Sequence, residues 1–157
     1  LWSPFRAALA DGFGNLCGYG AMYEPVGTVD HFVSCNEDRT KAYDWTNYRF
    51  CSGWLNSSKQ GLRAEEVLDP YEVEDGWFEI TLPSLQLVLT DRVPAELRVR
   101  ALTMLVRLHL GHDERVVRQR RAWMQMYEEK QITLEGLRGK APLLAEAIER
   151  AGQRGAR

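Results

Sequence analysis

Val29-Asp30-His31-Phe32, then Trp45-Thr46-Asn47-Tyr48-Arg49, then Asn56-Ser57-Ser58-Lys59 are the three short runs on which the reading of this chain turns. Gly27 to Val33 alternates loosely and is rich in Val, Thr and Phe, which predicts a strand with Asp30 and His31 near its far end. Ser34 to Lys41 is a polar, charged loop, and Trp45 to Cys51 crosses back with bulky residues. Asn56 to Arg63 opens a short helix that Asn56 is placed to cap. The order is strand, excursion, helix.

These residue types suit phosphodiester hydrolysis with one metal ion. The reaction needs a water made nucleophilic and a partner for the charge that builds on the leaving oxygen. A neutral imidazole, here His31, takes a water proton near neutral pH. Asp30 is its neighbour, and neighbours on a regular strand point to opposite faces. Both reach one phosphate only from a strand end or bulge. Asn47 can hold the imidazole by its other nitrogen or brace the loop. Asn56 can give a carbonyl oxygen to a hard cation such as Mg²⁺, with Mn²⁺ as the alternative. Lys59, three residues further on the same helix side, and Arg49 are candidate phosphate contacts, each equally at home as a solvated or salt-bridged cation.

Together the runs resemble the HNH endonuclease motif, in the subset whose final His is Asn, and the nine-residue step from Asn47 to Asn56 matches that family's usual spacing. The resemblance covers Asn15 to Arg63. It implies an α+β protein with a ββα-metal core, His31 as general base, Asp30 and Asn56 as metal ligands, Asn47 as the bracing residue, and DNA as substrate. Beyond it, Leu68-Asp69-Pro70, Asp75-Gly76-Trp77-Phe78 and the Leu105 to Arg121 corner look similar to bacterial HNH proteins of anti-phage systems. Two settings follow: a defence effector working with a partner ATPase, or a toxin domain restrained by an immunity protein. The alternative reading is an inactive module of the same fold that binds nucleic acid or protein.

One departure concerns zinc. Members of the family often carry two Cys-x-x-Cys pairs around a structural zinc, whereas here Gly20 follows Cys17 and Trp54 follows Cys51 at that step. Two thiols remain where a tetrahedral site wants four ligands. No structural zinc is expected; Trp54 is expected to fill the space, with Cys17 and Cys51 packing near each other.

Outward from the motif, Trp2 to Asp11 reads as a short helix with Ser3 as cap and Pro4 in its first turn. Asn15 to Tyr23 reads as a knuckle-like turn around Cys17. Glu72-Val73 and Trp77 to Leu82 flank Glu74-Asp75-Gly76, a hairpin signal, and Leu85 to Leu89 adds a third short strand. From Pro94 the period becomes helical: Leu97, Ala101, Leu105 and Leu108, widened by Leu102, Val106 and Leu110, predict a largely buried helix. Asp113 caps the next helix, with Val116, Val117, Trp123, Met124 and Tyr127 inward and Arg115, Arg118, Arg121 and Gln125 outward. Thr133 caps a short helix and Pro142 starts a last one carrying Leu144, Ala145 and Ile148 inward, with Gly152 to Arg157 frayed. The expected units are 1–91, the nuclease-like core with its hairpin, and 92–157, a helical subdomain packed on it. His109 and His112 flank Gly111 at a helix end and read as capping cations; Trp45, Tyr48 and Phe50 read as core.

A chain of 157 residues, 45% hydrophobic, is enough for one compact core and excludes extensive disorder. Charged residues interrupt every apolar run short of bilayer length, so no membrane partner is expected. Three cysteines among ordinary core residues fit a reducing, cytoplasmic setting rather than a disulfide framework. The chain begins at Leu1 with no basic-then-apolar leader, which reads as a processed or excised domain or one lacking its start. Residues 1–91 hold 6 Lys and Arg against 14 Asp and Glu; residues 92–130 hold 9 against 5. The helical half is thus the basic one, and Arg115, Arg118 and Arg121 are its best nucleic-acid-facing set.

Overall fold

Two separate hairpins carry the strands among the described residues, 3–155 of the computed structural model. In the first, β1 (Thr28–His31) pairs antiparallel with β2 (Tyr48–Cys51), placing Asp30 opposite Arg49 and His31 opposite Tyr48. Side chains alternate along a strand, so Val29, Tyr48 and Phe50 share one face and Asp30, Arg49 and Cys51 the other. The first face closes on Leu9 of α1 (Ser3–Gly12), forming a small cluster of its own. Trp2, expected in that helix, lies outside the described residues. Gly27, just before β1, lets the Phe50 ring come so close that a Cβ would sit 2.3 Å from it.

α2 (Gly53–Lys59) follows β2 and lies against β1. It starts earlier than the sequence suggests: Ser52 precedes its first turn, and Asn56 sits mid-helix instead of capping it. Trp45–Asn47 is a 3-10 turn capped by Asp44, and only Tyr48–Cys51 is strand. The elements of the motif thus form an antiparallel pair with a helix packed on it, an α+β arrangement.

The second hairpin corrects a sequence expectation. β3 (Phe78–Thr81) pairs with β4 (Gln86–Leu89), in the register Phe78 opposite Leu89, whereas Glu72-Val73 is irregular. Glu74-Asp75-Gly76 does turn, with Gly76 at φ +81°, but it leads into β3 rather than joining two strands. The apolar alternation of Leu85, Leu87 and Leu89 supplies a better partner for Phe78 and Ile80 than Val73 does.

Four helices complete the chain: α3 (Arg98–Arg107), α4 (Glu114–Glu128), α5 (Leu134–Arg138) and α6 (Pro142–Gly155). Asp113 and Thr133 cap α4 and α5 as expected, each accepting a backbone N–H of the first turn. Gly152 to Gly155, expected to fray, are helical; Ala156 and Arg157 lie outside the described residues. One core runs from Cys17 and Leu55 through Phe78 and Leu87 to Met104, Leu144 and Ala145, so it is continuous across Arg92, the expected boundary between units.

One further correction concerns the helices. α3 buries Ala101 and Met104, but Val99, Leu102 and Val106 are exposed, because β4 and the turn at Ala64–Glu66 cover only one side of it. On α4, Arg120 is 1% exposed and donates to the carbonyls of Leu85 (2.9 Å), Gly111 (3.1 Å) and Leu110 (2.7 Å). Burial lowers its pKa from the usual guanidinium value to about 10. Arg120 is thereby the internal cap of the turn after α3.

Candidate functional site

His31 is the last residue of β1, and that position lets it and Asp30 line the same hollow in spite of strand alternation. The hollow, about 180 Å³, is also lined by Ser34, Asn56, Lys59 and Gln60. Four residues singled out by the sequence, Asp30, His31, Asn56 and Lys59, are brought together there.

The imidazole is held by the loop between the strands. Nε2 of His31 lies 3.0 Å from the Ala42 carbonyl oxygen, which also accepts from the Tyr48 hydroxyl at 2.9 Å. A carbonyl only accepts, so the neutral ring carries its proton on Nε2 and its lone pair on Nδ1. The Tyr48 ring meets His31 edge-on, with centroids 5.1 Å apart.

Asn47 fixes that loop. Its side-chain oxygen accepts from Val33 N (2.8 Å), and its amide nitrogen donates to Val33 O (2.9 Å) and Lys41 O (3.2 Å). Of the two roles open to it, loop bracing is the one its amide performs, and it places the Ala42 carbonyl on the imidazole indirectly.

Asp30 is 3% exposed and shared by two donors. The Tyr19 hydroxyl donates to it at 2.6 Å, and the Lys59 ammonium sits 3.1 Å from each carboxylate oxygen. Tyr19 stays a phenol: burial first, and the charge of Asp30 second, push its pKa well above the usual tyrosine value. Lys59, 4% exposed, also donates to the carbonyls of His31 (2.9 Å) and Phe32 (3.0 Å). Its three N–H donors are therefore matched by protein acceptors, and the expectation of a phosphate contact gives way to a buried brace.

Arg49 needs the same correction. It is buried, paired in bidentate fashion with Asp69, donates to the carbonyls of Thr46 (2.7 Å) and Tyr48 (2.8 Å), and lies 4.0 Å over the Tyr71 ring. A guanidinium so occupied ties β2 to the Asp69 turn and is not presented to a phosphate. Of the helical arginines, Arg115 is held by Asp113 and stacks 4.3 Å over Trp54 of α2, Arg118 pairs with Glu114 at 3.5 Å, and Arg121 lines a hollow with Met124 and Glu128. All three are exposed, and none lines the His31 hollow.

For a metal, Asp30 offers a carboxylate oxygen and Asn56 an amide oxygen on the same hollow; the Asn56 amide nitrogen leans 3.4 Å toward Val29 O, which leaves its oxygen for another partner. A carboxylate has about four acceptor directions, and Tyr19 and Lys59 use only part of them. Two hard oxygen donors completed by water fit Mg²⁺. Among the described residues, no three His, Cys, Asp or Glu side chains cluster as a metal-holding group.

The knuckle stands behind Asp30 and carries Tyr19. Gly20 N donates to Cys17 Sγ at 3.3 Å, Cys17 N to Met22 O at 2.9 Å, and Tyr23 N to Lys140 O at 2.7 Å. Cys17 and Cys51 are both buried, and burial pushes both thiols up. Trp54 closes the remaining gap, of about 10 Å³, beside Cys17 and Gly20.

Tyr19 is the site residue that sequence reasoning missed. Its signal was only its place two residues after Cys17, in a turn that the resemblance already set beside the strands. Comparison with protein-family models, with curated proteins and with solved structures returns no match. Among the described residues, no helix is long and apolar enough to cross a membrane.

Proposed function

We propose that the chain is a metal-dependent endonuclease of the HNH type, with a ββα-metal core, that hydrolyses phosphodiester bonds of DNA. The observation that carries this is the hollow shared by His31, Asp30 and Asn56, with His31 held through Nε2 so that Nδ1 bears the lone pair.

In this reading His31 Nδ1 takes the proton of a water aimed at the phosphorus, and the Ala42 carbonyl stabilises the imidazolium that results. Asn47 keeps that carbonyl in place, while Tyr19 and Lys59 fix the rotamer of Asp30. Asp30 and Asn56 would hold Mg²⁺ or Mn²⁺, which when bound supplies stabilisation of the leaving oxygen. Arg115, Arg118 and Arg121 would add long-range attraction for the DNA backbone. Defence beside a partner ATPase and toxicity restrained by an immunity protein are the two settings proposed, both cytoplasmic. The reading needs no structural zinc, since backbone bonds and Trp54 hold the knuckle; stoichiometric zinc by elemental analysis would overturn that part.

A second reading, a module of the same fold without activity, is favoured by one observation: the carboxylate meant for the ion already faces an ammonium. Incubation of supercoiled plasmid with Mg²⁺ or Mn²⁺, beside a chelator control and His31→Ala, separates the two. Nicking by wild type that is lost in His31→Ala and in chelator supports the enzyme; equal inertness of both proteins across metals retires it.

A further inference from the structure

We propose that Trp45, with Phe5 against it and Tyr43 two residues before it, is a stacking platform for unpaired bases of a single-stranded nucleic acid whose backbone enters the His31 hollow. This rests on the nuclease reading and names its substrate class.

Large aromatics are seldom left open to solvent in groups. Here Trp45 is 47% exposed, Tyr43 72% and Phe5 43%, although sequence reasoning placed Trp45 in the core. Phe5 and Trp45 belong to a chain of rings that ends at the candidate base. Phe5 and Trp45 meet edge-on at 6.2 Å between centroids, Trp45 and Tyr48 at 5.8 Å, and Tyr48 and His31 at 5.1 Å. Trp45 is therefore one ring removed from His31.

The platform is also held rigid. Asp44 accepts from Thr46 N (2.9 Å) and Thr46 Oγ1 (2.6 Å), and Asn47 pins the turn from its other end. A fixed aromatic gives up little freedom on binding, and every base has a π-face to set on it, so recognition is tolerant of sequence. A paired base in a duplex has its faces covered by its neighbours; only an unpaired one can use the platform. Arg39 and Lys41 on the same turn as Tyr43 supply cations for the backbone, Lys41 being shared with Asp44 at 3.7 Å.

The test is fluorescence anisotropy with a labelled oligonucleotide as single strand and as duplex, in chelator so that nothing is cut, using wild type, Trp45→Ala, Trp45→Phe and Tyr43→Ala. Wild type should bind the single strand about ten-fold more tightly than the duplex. Trp45→Ala should weaken single-strand binding by about 5- to 150-fold, Trp45→Phe should retain most of it, and duplex binding should not change. Equal single-strand affinity of Trp45→Ala and wild type, or a preference of wild type for duplex, overturns the platform. Should Trp45→Ala melt early, Tyr43→Ala decides by the same criterion. Plasmid nicking by wild type against His31→Ala tests catalysis separately: stacking without nicking retires the nuclease, and nicking without stacking retires the platform.

Discussion

The ammonium of Lys59 lies 3.1 Å from both carboxylate oxygens of Asp30, with both side chains buried. A helix and a strand that are 29 residues apart in sequence are thus joined by opposite charges inside the protein. Breaking a buried pair from one side leaves the other charge uncompensated. Asp30→Asn and Lys59→Met should each lower stability by about 3 kcal/mol in urea denaturation. The double variant should lose less than the sum. Additive losses would mean that the two charges do not depend on each other.

Tyr19→Phe removes the second donor to Asp30 and nothing else of comparable size. If Asp30 holds the ion, the divalent-ion concentration for half-maximal nicking should rise about ten-fold, with the fold intact by circular dichroism. An unchanged metal dependence would leave Tyr19 a purely structural hydroxyl.

Arg120 satisfies three backbone carbonyls in the core. Arg120→Met keeps the apolar stem and orphans the Leu85 and Leu110 carbonyls, while that of Gly111 keeps the Leu87 N–H, at a cost of about 3 kcal/mol, read as a lower denaturation midpoint. A stable variant would show that this guanidinium is dispensable.

The cysteines give a pH test. Burial raises the pKa of Cys17 and Cys51, whereas Cys35 is exposed. Native protein at pH 8 should therefore be alkylated at Cys35 alone, and denatured protein at all three thiols. The sign for stability follows. Above about pH 8.5 the unfolded chain releases thiol protons that the folded chain retains, so stability falls as pH rises there. Ready labelling of Cys51 in the native state would contradict its burial.

Exposed Arg115, Arg118 and Arg121 are read through salt. If all three meet phosphates of duplex DNA, their triple Gln variant should flatten the slope of log affinity against log salt by about 2.7, and by about 2.1 for a single strand. No change in slope would place the basic surface elsewhere.

The sequence carried the hairpin, the helix and the residues of the hollow because that information is local: an Asp-His pair at a strand end, and Asn56 and Lys59 three apart on a helix. It could not show that Lys59 and Arg49 point inward, since a cation's fate depends on carboxylates 29 and 20 residues away. Asn56 reads as a cap until Ser52 and Gly53 are seen to start the helix. Asp-Gly marked a turn but not which strands it joined, because Leu85 to Leu89 offered Phe78 the better apolar partner. Val99, Leu102 and Val106 have the spacing of a buried stripe, and only the placement of β4 shows that the helix exceeds its cover.

Asn47 closes the loop from Val33 with both ends of one amide, and the carbonyl that holds His31 lies inside that loop. Opening the loop would free the Phe32 and Val33 amides, release the imidazole and unseat Trp45 in one event. Hydrogen exchange should accordingly find the amides of Phe32, Val33 and Asn47 exchanging at a common rate, as one cooperative unit. The orientation of the candidate base would then be as durable as a single side-chain amide allows.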